Sequence, residues 1–423
     1  MTSHSDRYFA TDYQDARGRF LDAAERAGAA IEHWRLPGHD GPDGRPLYMD
    51  IARLGPIDAD TVLVSLSGTH GAEGFCGSAA QVCWLDNNGS GFRPPKGVAL
   101  LFVHAVNPFG FAHMVRNNEN NVDLNRNFID FEGPAPANPL AEDLHDRLPD
   151  RDGVDEDLVE AWAGVFEGFW AEHGDWVASD AASRGQYSRP DGIHFGGLGL
   201  QWSSRTLAAR IREHCGQARH VVYIDWHTLI RTGDGELVFL CFNQSDDPLF
   251  KRVGDWWSPQ AIDRSHVDKQ WGEGAARSAR RPSRNGLVMW GLQKTLAPNA
   301  DLAGAVIEFC ADADHLHTDL RARVRHLLRE RWLIRTRDYD SPTGRFLAAN
   351  LREDSCPTRK GFQEKALDRA MDTYASALQG AAAWSAEGAP AMPGLIVTSQ
   401  AFDGSAAPQT PATGAPAVGG SRE

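Results

Sequence analysis

The sequence predicts an α/β fold in which a buried sheet is covered by helices. Two apolar runs, residues 59–68 and 97–108, are continuous rather than alternating, which is typical of strands buried on both faces. A helical segment, residues 74–87, lies between them and ends at the turn signal NNGSG. This order of strand, helix and strand is the alternation of an α/β sheet with helices on its faces.

Elements on either side of this unit extend the pattern. Residues 7–29 carry apolar side chains every three or four positions and predict an amphipathic helix, and residues 46–55 predict a strand. Residues 131–203 differ, because they are rich in acids, Pro, Gly and Trp and predict only one helix, over 155–174. We interpret them as an insertion on the sheet, since the segment is short and has little strand pattern.

The α/β alternation resumes after the insertion. The predicted helices are residues 204–215, 247–257, 320–338 and 362–384, and the predicted strands are residues 220–228, 236–243 and 303–310. Residues 385–423 are rich in Pro, Ala, Gly, Ser and Thr and predict a disordered tail. Residues 1–384 are therefore expected to form a single domain that carries the insertion.

Charge and composition limit the possible functions. The formal net charge is -14, so neither a nucleic acid nor an anionic membrane is an expected partner. The six cysteines include no CxxC pair and are typical of reduced, buried thiols. The first 20 residues contain no apolar signal core, and no run is long enough to cross a membrane. We expect a soluble cytoplasmic protein, and the composition leaves the oligomeric state open.

The segment SGTHGAEGF follows the first buried strand and contains a candidate pair of metal ligands. Imidazole nitrogen and carboxylate oxygen both bind zinc, and His70 and Glu73 are three residues apart. Gly68, Gly71 and Gly74 allow the chain to turn so that the two side chains converge. Taken alone the pair is weak, because a solvated loop histidine beside a capping glutamate has the same spacing.

Two further strands supply a third ligand and a base. His227 ends a buried strand, where sites assemble in α/β sheets, and catalytic zinc commonly has three protein ligands. The competing explanation is a strand-end histidine bonded to backbone; His104, the nearest rival, lies inside its strand. Glu308 is the one carboxylate of the run AGAVIEFC, which suits a base that takes a proton from water. The alternative for Glu308 is an ion pair with an arginine.

The polar stretch from residue 107 to 128 contains Arg116 and Arg126 among many amides. Arginine forks bind carboxylates, so the two arginines together with Asn125 are a candidate clamp for a substrate carboxylate. Asp123 is a candidate acceptor for the free ring N–H of a metal-binding histidine. By itself the stretch is better explained as a turn-rich surface loop with solvated arginines.

Five motifs together resemble the zinc carboxypeptidase (carboxypeptidase A-like) superfamily. They are SGTHGAEGF, NPFGF, VDLNRNF, DWHT and VIEF, in this order over about residues 60–310, with a longer gap before the last histidine. The resemblance implies a mixed, mostly parallel central sheet flanked by helices. It also implies one Zn²⁺ per chain, bound by His70, Glu73 and His227.

The same resemblance implies roles for the other candidates. Glu308 would be the general base and later the proton donor, and Arg116 would polarise the scissile carbonyl and stabilise its oxyanion. Asn125 and Arg126 would hold the free carboxylate of the substrate. Asp123 would orient the first metal histidine.

The chain departs from the digestive members at two points. They have an arginine where this chain has Ala72, and a mobile tyrosine that does not occur between His227 and Glu308. Tyr187, in the insertion, is a candidate replacement. THGAE and DWHT are closer to the deacylase branch, which includes aspartoacylase and succinylglutamate desuccinylase. The segment from residue 185 to 204 is similar to that of uncharacterised bacterial members.

The predicted function is a zinc-dependent hydrolase that cleaves an amide bond next to a free carboxylate. A small peptide, cleaved in the manner of a carboxypeptidase, is the favoured substrate, and an N-acyl amino acid is the alternative. A third possibility is a non-catalytic protein that binds a carboxylate ligand. The sequence lacks the phosphate-binding GxxxxGK[ST] motif, which argues against a nucleotide-dependent enzyme.

Overall fold

A computed structural model describes residues 5–89, 91–230, 233–243, 248–258, 262–263, 284–311 and 319–387. Eight strands form one sheet: β1 Ala30–Asp40, β2 Pro46–Leu54, β3 Thr61–Ser67, β4 Val98–His104, β5 His220–Ile230, β6 Leu237–Leu240, β7 Ile262–Asp263 and β8 Asp301–Ala311. The helices are α1 Tyr13–Ala27, α2 Gly74–Asn88, α3 Pro108–His113, α4 Pro139–Arg147, α5 Glu156–Ser183, α6 Trp202–Cys215, α7 Pro248–Trp257, α8 Val288–Leu296, α9 Leu320–Thr336, α10 Pro342–Ser355 and α11 Lys360–Ala386.

The strand order is β1-β2-β4-β3-β5-β8-β6-β7. The four central strands, β4, β3, β5 and β8, are parallel to one another, whereas β2 and β6 run antiparallel to their inner neighbours. Every residue of β3 and β4 is buried, as the continuous apolar runs predict. The expected mixed, mostly parallel central sheet flanked by helices is therefore confirmed.

Helices cover both faces of the sheet. One face packs against α1, α2, α7 and α11 in a cluster that includes Phe20, Phe75 and Tyr374. The other face packs against α6 and α8 through Leu207 and Val288. Alternate residues of each strand point to opposite faces, so a polar residue inside a strand is committed to one of these two layers.

Strand β1 is absent from the sequence prediction. It pairs only with β2, and most of its side chains are half-buried or exposed. An edge strand of this kind buries too little surface to produce an apolar run, so its polar sequence gives no strand signal. The N-terminal helix is also shorter than predicted, because it begins at Tyr13 with Asp12 as its N-cap.

The inserted segment contains two helices, α4 and α5, of which only α5 is predicted. Their apolar side chains form a third cluster with Val324 and Leu328 of α9. The predicted tail overlaps the last two residues of α11, and residues 388–423 lie outside the described part of the chain. Among the described helices, none combines the length and apolar character needed to span a bilayer.

Candidate metal centre

The loop after β3 brings His70 and Glu73 to the C-terminal edge of the sheet. Its backbone is held by Gly71 and Ala72, whose N–H groups donate to Arg116 and Val115 carbonyls at 3.0 and 3.1 Å. Only Gly68 of the three loop glycines has positive φ, +66°. Gly71 and Gly74 are required for a different reason, because a Cβ at either position would overlap atoms of α3.

Gly71 shows this requirement most clearly. A Cβ at this position would lie 1.9 Å from the carbonyl carbon of Gly110. The glycines therefore shape the turn as expected, but mainly because the backbone and Phe111 of α3 pack directly against the loop.

His70, Glu73 and His227 converge in the interior. The Nδ1 atom of His70 lies 3.0 Å from Glu73 Oε1 and 3.0 Å from His227 Nδ1, and His227 Nδ1 lies 3.3 Å from Glu73 Oε2. All three residues are buried, with 7% exposure at most. Within the described ranges they form a group able to hold a metal ion, as the sequence predicts.

The chemistry of these atoms fits a metal ion. A neutral imidazole with its hydrogen on Nε2 presents Nδ1 as an acceptor, and the carboxylate has only acceptors. A cluster of acceptors is repulsive unless a proton or a cation lies among them. A tetrahedral ion with bonds of about 2.0–2.1 Å separates its ligand atoms by about 3.3 Å, close to the observed distances.

Two buried aspartates orient the histidines. Asp123 Oδ1 lies 3.2 Å from His70 Nε2, where the sequence places it, and Asp225 Oδ2 lies 3.1 Å from His227 Nε2. Asp225 also accepts from Thr69 Oγ1 at 2.9 Å and from Tyr223 Oη at 2.8 Å. Both carboxylates favour the ring tautomer that leaves Nδ1 free for a metal.

Asp225 is absent from the predicted site, although DWHT contains a signal for it. Residues two apart on a strand share a face, so the aspartate of DWHT must lie beside its histidine.

The electrostatics of the cluster favour charged groups. Burial would raise the pKa of Glu73, but His70, His227 and Arg116 outweigh it and hold that pKa well below its usual value. Burial would likewise lower the pKa of His227, but Asp225 and Glu73 raise it well above the usual range. In both cases the neighbouring charges outweigh burial in setting the direction of the pKa shift. This is expected of a metal site, where a bound cation replaces protons held by the ligands.

Glu308 lies on β8, the strand that pairs with the strand of His227, β5. The two residues are register partners in the parallel pair of β5 and β8, so their side chains share one face of the sheet. In the described residues no hydrogen bond or ion pair is made by the Glu308 carboxylate. Burial raises the pKa of Glu308, and the charge of Glu73 raises it further. The alternative explanation, an ion pair with an arginine, is therefore not observed for Glu308 among the described residues.

Arg116 reaches the cluster from the loop after α3. Its Nη1 donates to Glu73 Oε1 at 2.9 Å, and its Nη2 lies 2.9 Å from His70 Nε2 and 3.3 Å from Asp123 Oδ2. In the tautomer that frees His70 Nδ1, Nε2 carries the hydrogen and donates to Asp123, so it cannot also accept from Arg116. The backbone N–H of Arg116 donates to Glu330 Oε1 at 2.7 Å. No pattern in the sequence predicts this contact.

Asn125 and Arg126 lie in the short 3-10 helix Leu124–Arg126 that follows Asp123. The Arg126 fork donates to the carbonyls of Ser183 and Asn125, and Asn125 Oδ1 accepts from the Val288 N–H at 3.0 Å. The Tyr187 hydroxyl donates to the Arg126 carbonyl at 2.7 Å. The structure thus brings these residues beside the cluster, and Tyr187 holds the backbone of the predicted clamp.

The rival His104 lies elsewhere, but the predicted strand positions of the two histidines are wrong. His104 is the last residue of β4, and His227 lies inside β5, which continues to Ile230. The ring of His104 stacks on Phe20 with centroids 4.6 Å apart, and its Nε2 is 2.9 Å from Ser78 Oγ. These neighbours belong to the opposite face of the sheet from His227 and Glu308. His194, another histidine not predicted at the site, does reach it, because its Nδ1 lies 3.0 Å from Asp123 Oδ2.

Comparison with known proteins gives a family and distant structural similarities. The family model described as protein of unknown function (DUF2817) matches residues 9–369. No curated protein matches the chain.

Three solved structures are similar to this chain. Carboxypeptidase A from Helicoverpa armigera is 13% identical, over 83% of this chain and 75% of that one, with a TM-score of 0.37. Bovine thrombin-activatable fibrinolysis inhibitor, crystallised with tick carboxypeptidase inhibitor, is 12% identical over 82% and 97%, with a TM-score of 0.41. A succinylglutamate desuccinylase / aspartoacylase family protein from Shewanella amazonensis is 15% identical over 70% of both chains, with a TM-score of 0.31.

These proteins are of the superfamily that the five motifs resemble. Identities and TM-scores this low carry no argument about the substrate of this chain.

Proposed function

The chain belongs to the family described as protein of unknown function (DUF2817), and we propose that it is a zinc-dependent hydrolase. The bond cleaved is an amide next to a free carboxylate, at the C-terminal end of a small peptide. One observation carries the proposal. The two Nδ1 atoms and the Glu73 carboxylate converge in a buried cluster, and Glu308 lies unpaired among the described residues on the same sheet face as His227.

His70, Glu73 and His227 would hold the ion, and Asp123 and Asp225 would keep the hydrogens of both rings on Nε2. Bound zinc supplies Lewis acidity, which lowers the pKa of water and polarises a carbonyl.

The chain's own residues supply the remaining steps. Glu308 accepts a proton from the attacking water and returns it to the leaving amine. Arg116 donates to the carbonyl oxygen as that oxygen gains negative charge.

The donors left over on Asn125 and Arg126 support a carboxylate clamp. Arg126 has five N–H groups, and the three contacts to backbone carbonyls leave one N–H on each terminal nitrogen. The Asn125 amide uses its oxygen, and its Nδ2 has no hydrogen-bond partner among the described residues. A substrate carboxylate could therefore bind without breaking the contacts that hold the loop.

An N-acyl amino acid is the second candidate substrate. The end of the insertion reaches the site, where the His194 ring and the backbone carbonyl of Phe195 both contact Asp123. This segment occupies space on the Asp123 side of the cluster. A small substrate needs less of that space than a peptide does.

The test is a hydrolysis screen of zinc-loaded protein with short peptides and N-acyl amino acids, each with a free and an amidated carboxyl end. A charge-assisted clamp should favour the free acids by about 10- to 100-fold in kcat/KM. Equal rates on both ends would contradict the clamp. If the purified protein holds no stoichiometric metal and chelators change no activity, the protein is instead a non-catalytic carboxylate binder.

A further inference from the structure

The segment from Gly185 to Gly197 is built to hold one histidine beside the metal centre. The N–H of Gln186 donates to the His194 carbonyl, and the N–H of Asp123 donates to the Phe195 carbonyl at 2.8 Å. His194 itself has φ +49°, in the left-handed region. A non-glycine residue held there costs free energy that the surrounding contacts must offset, and such residues cluster at functional sites.

The His194 ring has one committed nitrogen and one open nitrogen. Nδ1 lies 3.0 Å from Asp123 Oδ2, and because a carboxylate only accepts, Nδ1 carries the hydrogen. The side chain is 22% exposed, and no described residue hydrogen-bonds to Nε2. Burial lowers the pKa of His194 to about 3. At neutral pH the ring therefore presents an unprotonated Nε2, which is a hydrogen-bond acceptor.

We propose that His194 is a specificity-determining residue whose Nε2 accepts a hydrogen bond from the N–H of the scissile amide. This inference rests on the proposed function and assigns it a further substrate contact. It also predicts that the enzyme prefers amides to esters, since the ester oxygen that replaces the amide nitrogen has no hydrogen to donate.

The nearness of the His194 ring to both arginines carries the assignment. His194 Nδ1 and Arg116 Nη2 contact the same oxygen, Asp123 Oδ2, and the charge of Arg126 also acts on the His194 ring. In the proposed complex the scissile carbonyl lies at Arg116 and the free carboxylate at Arg126. The atoms between those two groups include one hydrogen-bond donor, the amide N–H. A fixed acceptor near both arginines matches it, whether the substrate is a peptide or an N-acyl amino acid.

The test compares the best amide from the hydrolysis screen with its ester analogue, in which oxygen replaces the scissile N–H. The variant is His194→Asn, because asparagine tolerates positive φ but is too short to place an acceptor where Nε2 lies. Loss of one hydrogen bond should lower the amide-to-ester ratio of kcat/KM by about three- to tenfold. An unchanged ratio in an active, folded variant would overturn the proposal.

His145→Ala is the matched control. His145 Nε2 accepts from the Ile193 N–H at 2.8 Å, so this change disturbs the same segment without removing the acceptor. It should change amide and ester rates by the same factor. A ratio that falls as far as in His194→Asn would show that segment order, rather than the acceptor, sets the preference.

A measurement without turnover completes the test. In ¹⁵N-histidine NMR spectra of the metal-free protein, with the signal assigned by its loss in His194→Asn, we expect the Nδ1–H tautomer at pH 7. The Nε2–H tautomer would overturn the proposal. Failure of the proposed function itself differs from both, since the wild type would then show no metal-dependent turnover of amide or ester.

Discussion

Replacing Asp225 with asparagine should weaken metal binding without disturbing the fold. Asp225 is fully buried and receives three contacts, from Thr69 Oγ1, Tyr223 Oη and His227 Nε2. Asparagine has the same shape. If its amide nitrogen takes the Oδ1 position, the Thr69 hydroxyl can accept from that nitrogen. The remaining oxygen can still accept from the Tyr223 hydroxyl and from His227 Nε2.

What the variant loses is charge, and the magnitude follows from that. A hydrogen bond to a charged group contributes about 1.5–3 kcal/mol and one between neutral groups about 0.5–1.5 kcal/mol. Losing roughly 1–2 kcal/mol of support for the metal-binding ring of His227 corresponds to a rise in metal Kd of about 5- to 30-fold.

The assay is competition for zinc against a chelating indicator at fixed pH, for wild type, Asp225→Asn and Asp60→Asn. Asp60 pairs with Arg219 just before the start of β3, far from the ligand end of that strand, so its Kd should match wild type. A Kd for Asp225→Asn within twofold of wild type, in a folded protein, would refute the assignment of Asp225 to the metal centre.

Three further predictions concern the base, the core and the ligand loop. Glu308→Gln should keep its zinc, measured by metal analysis, but lose at least about 100-fold in kcat, and near-normal turnover would contradict the role of the base. Burial lowers the pKa of His104 to about 4, so the unfolded chain binds more protons than the native one between pH 4 and 6.5. The free energy of unfolding should therefore fall by about 2 kcal/mol from pH 7 to pH 5 because of His104, and urea titrations of His104→Phe should show a drop smaller by that amount. Gly71→Ala should prevent stoichiometric zinc binding, because its Cβ would overlap Gly110, whereas Gly18→Ala, with open space at its Cβ, should bind zinc normally in the same metal analysis.

Local sequence determined the central strands of the sheet. The continuous runs of β3, β4, β5 and β8 predict a sheet covered on both faces, because a strand without alternation must be buried on both sides. The strands β1 and β7 and the helices α3, α4, α8 and α10 are absent from the prediction. Strand β1 buries little surface, and β7, α3, α4 and α8 are too short to show a period. Helix α10 does bury Leu347 and Leu351 on one face, a helical spacing that the prediction missed.

The sequence alone also placed His70, Glu73 and His227 near the C-terminal ends of buried strands, and the structure brings them together, although His227 lies inside β5 rather than at its end. Strand ends are a local property, and the carboxyl ends of parallel strands meet at one edge. Only the tertiary structure decided which side chains surround that group. Asp225 faces His227, the Arg126 fork holds backbone carbonyls, and His194 arrives from the insertion to share Asp123 with Arg116. These contacts join residues far apart in the chain, and their geometry depends on the packing of several elements at once, which no local pattern of residues encodes.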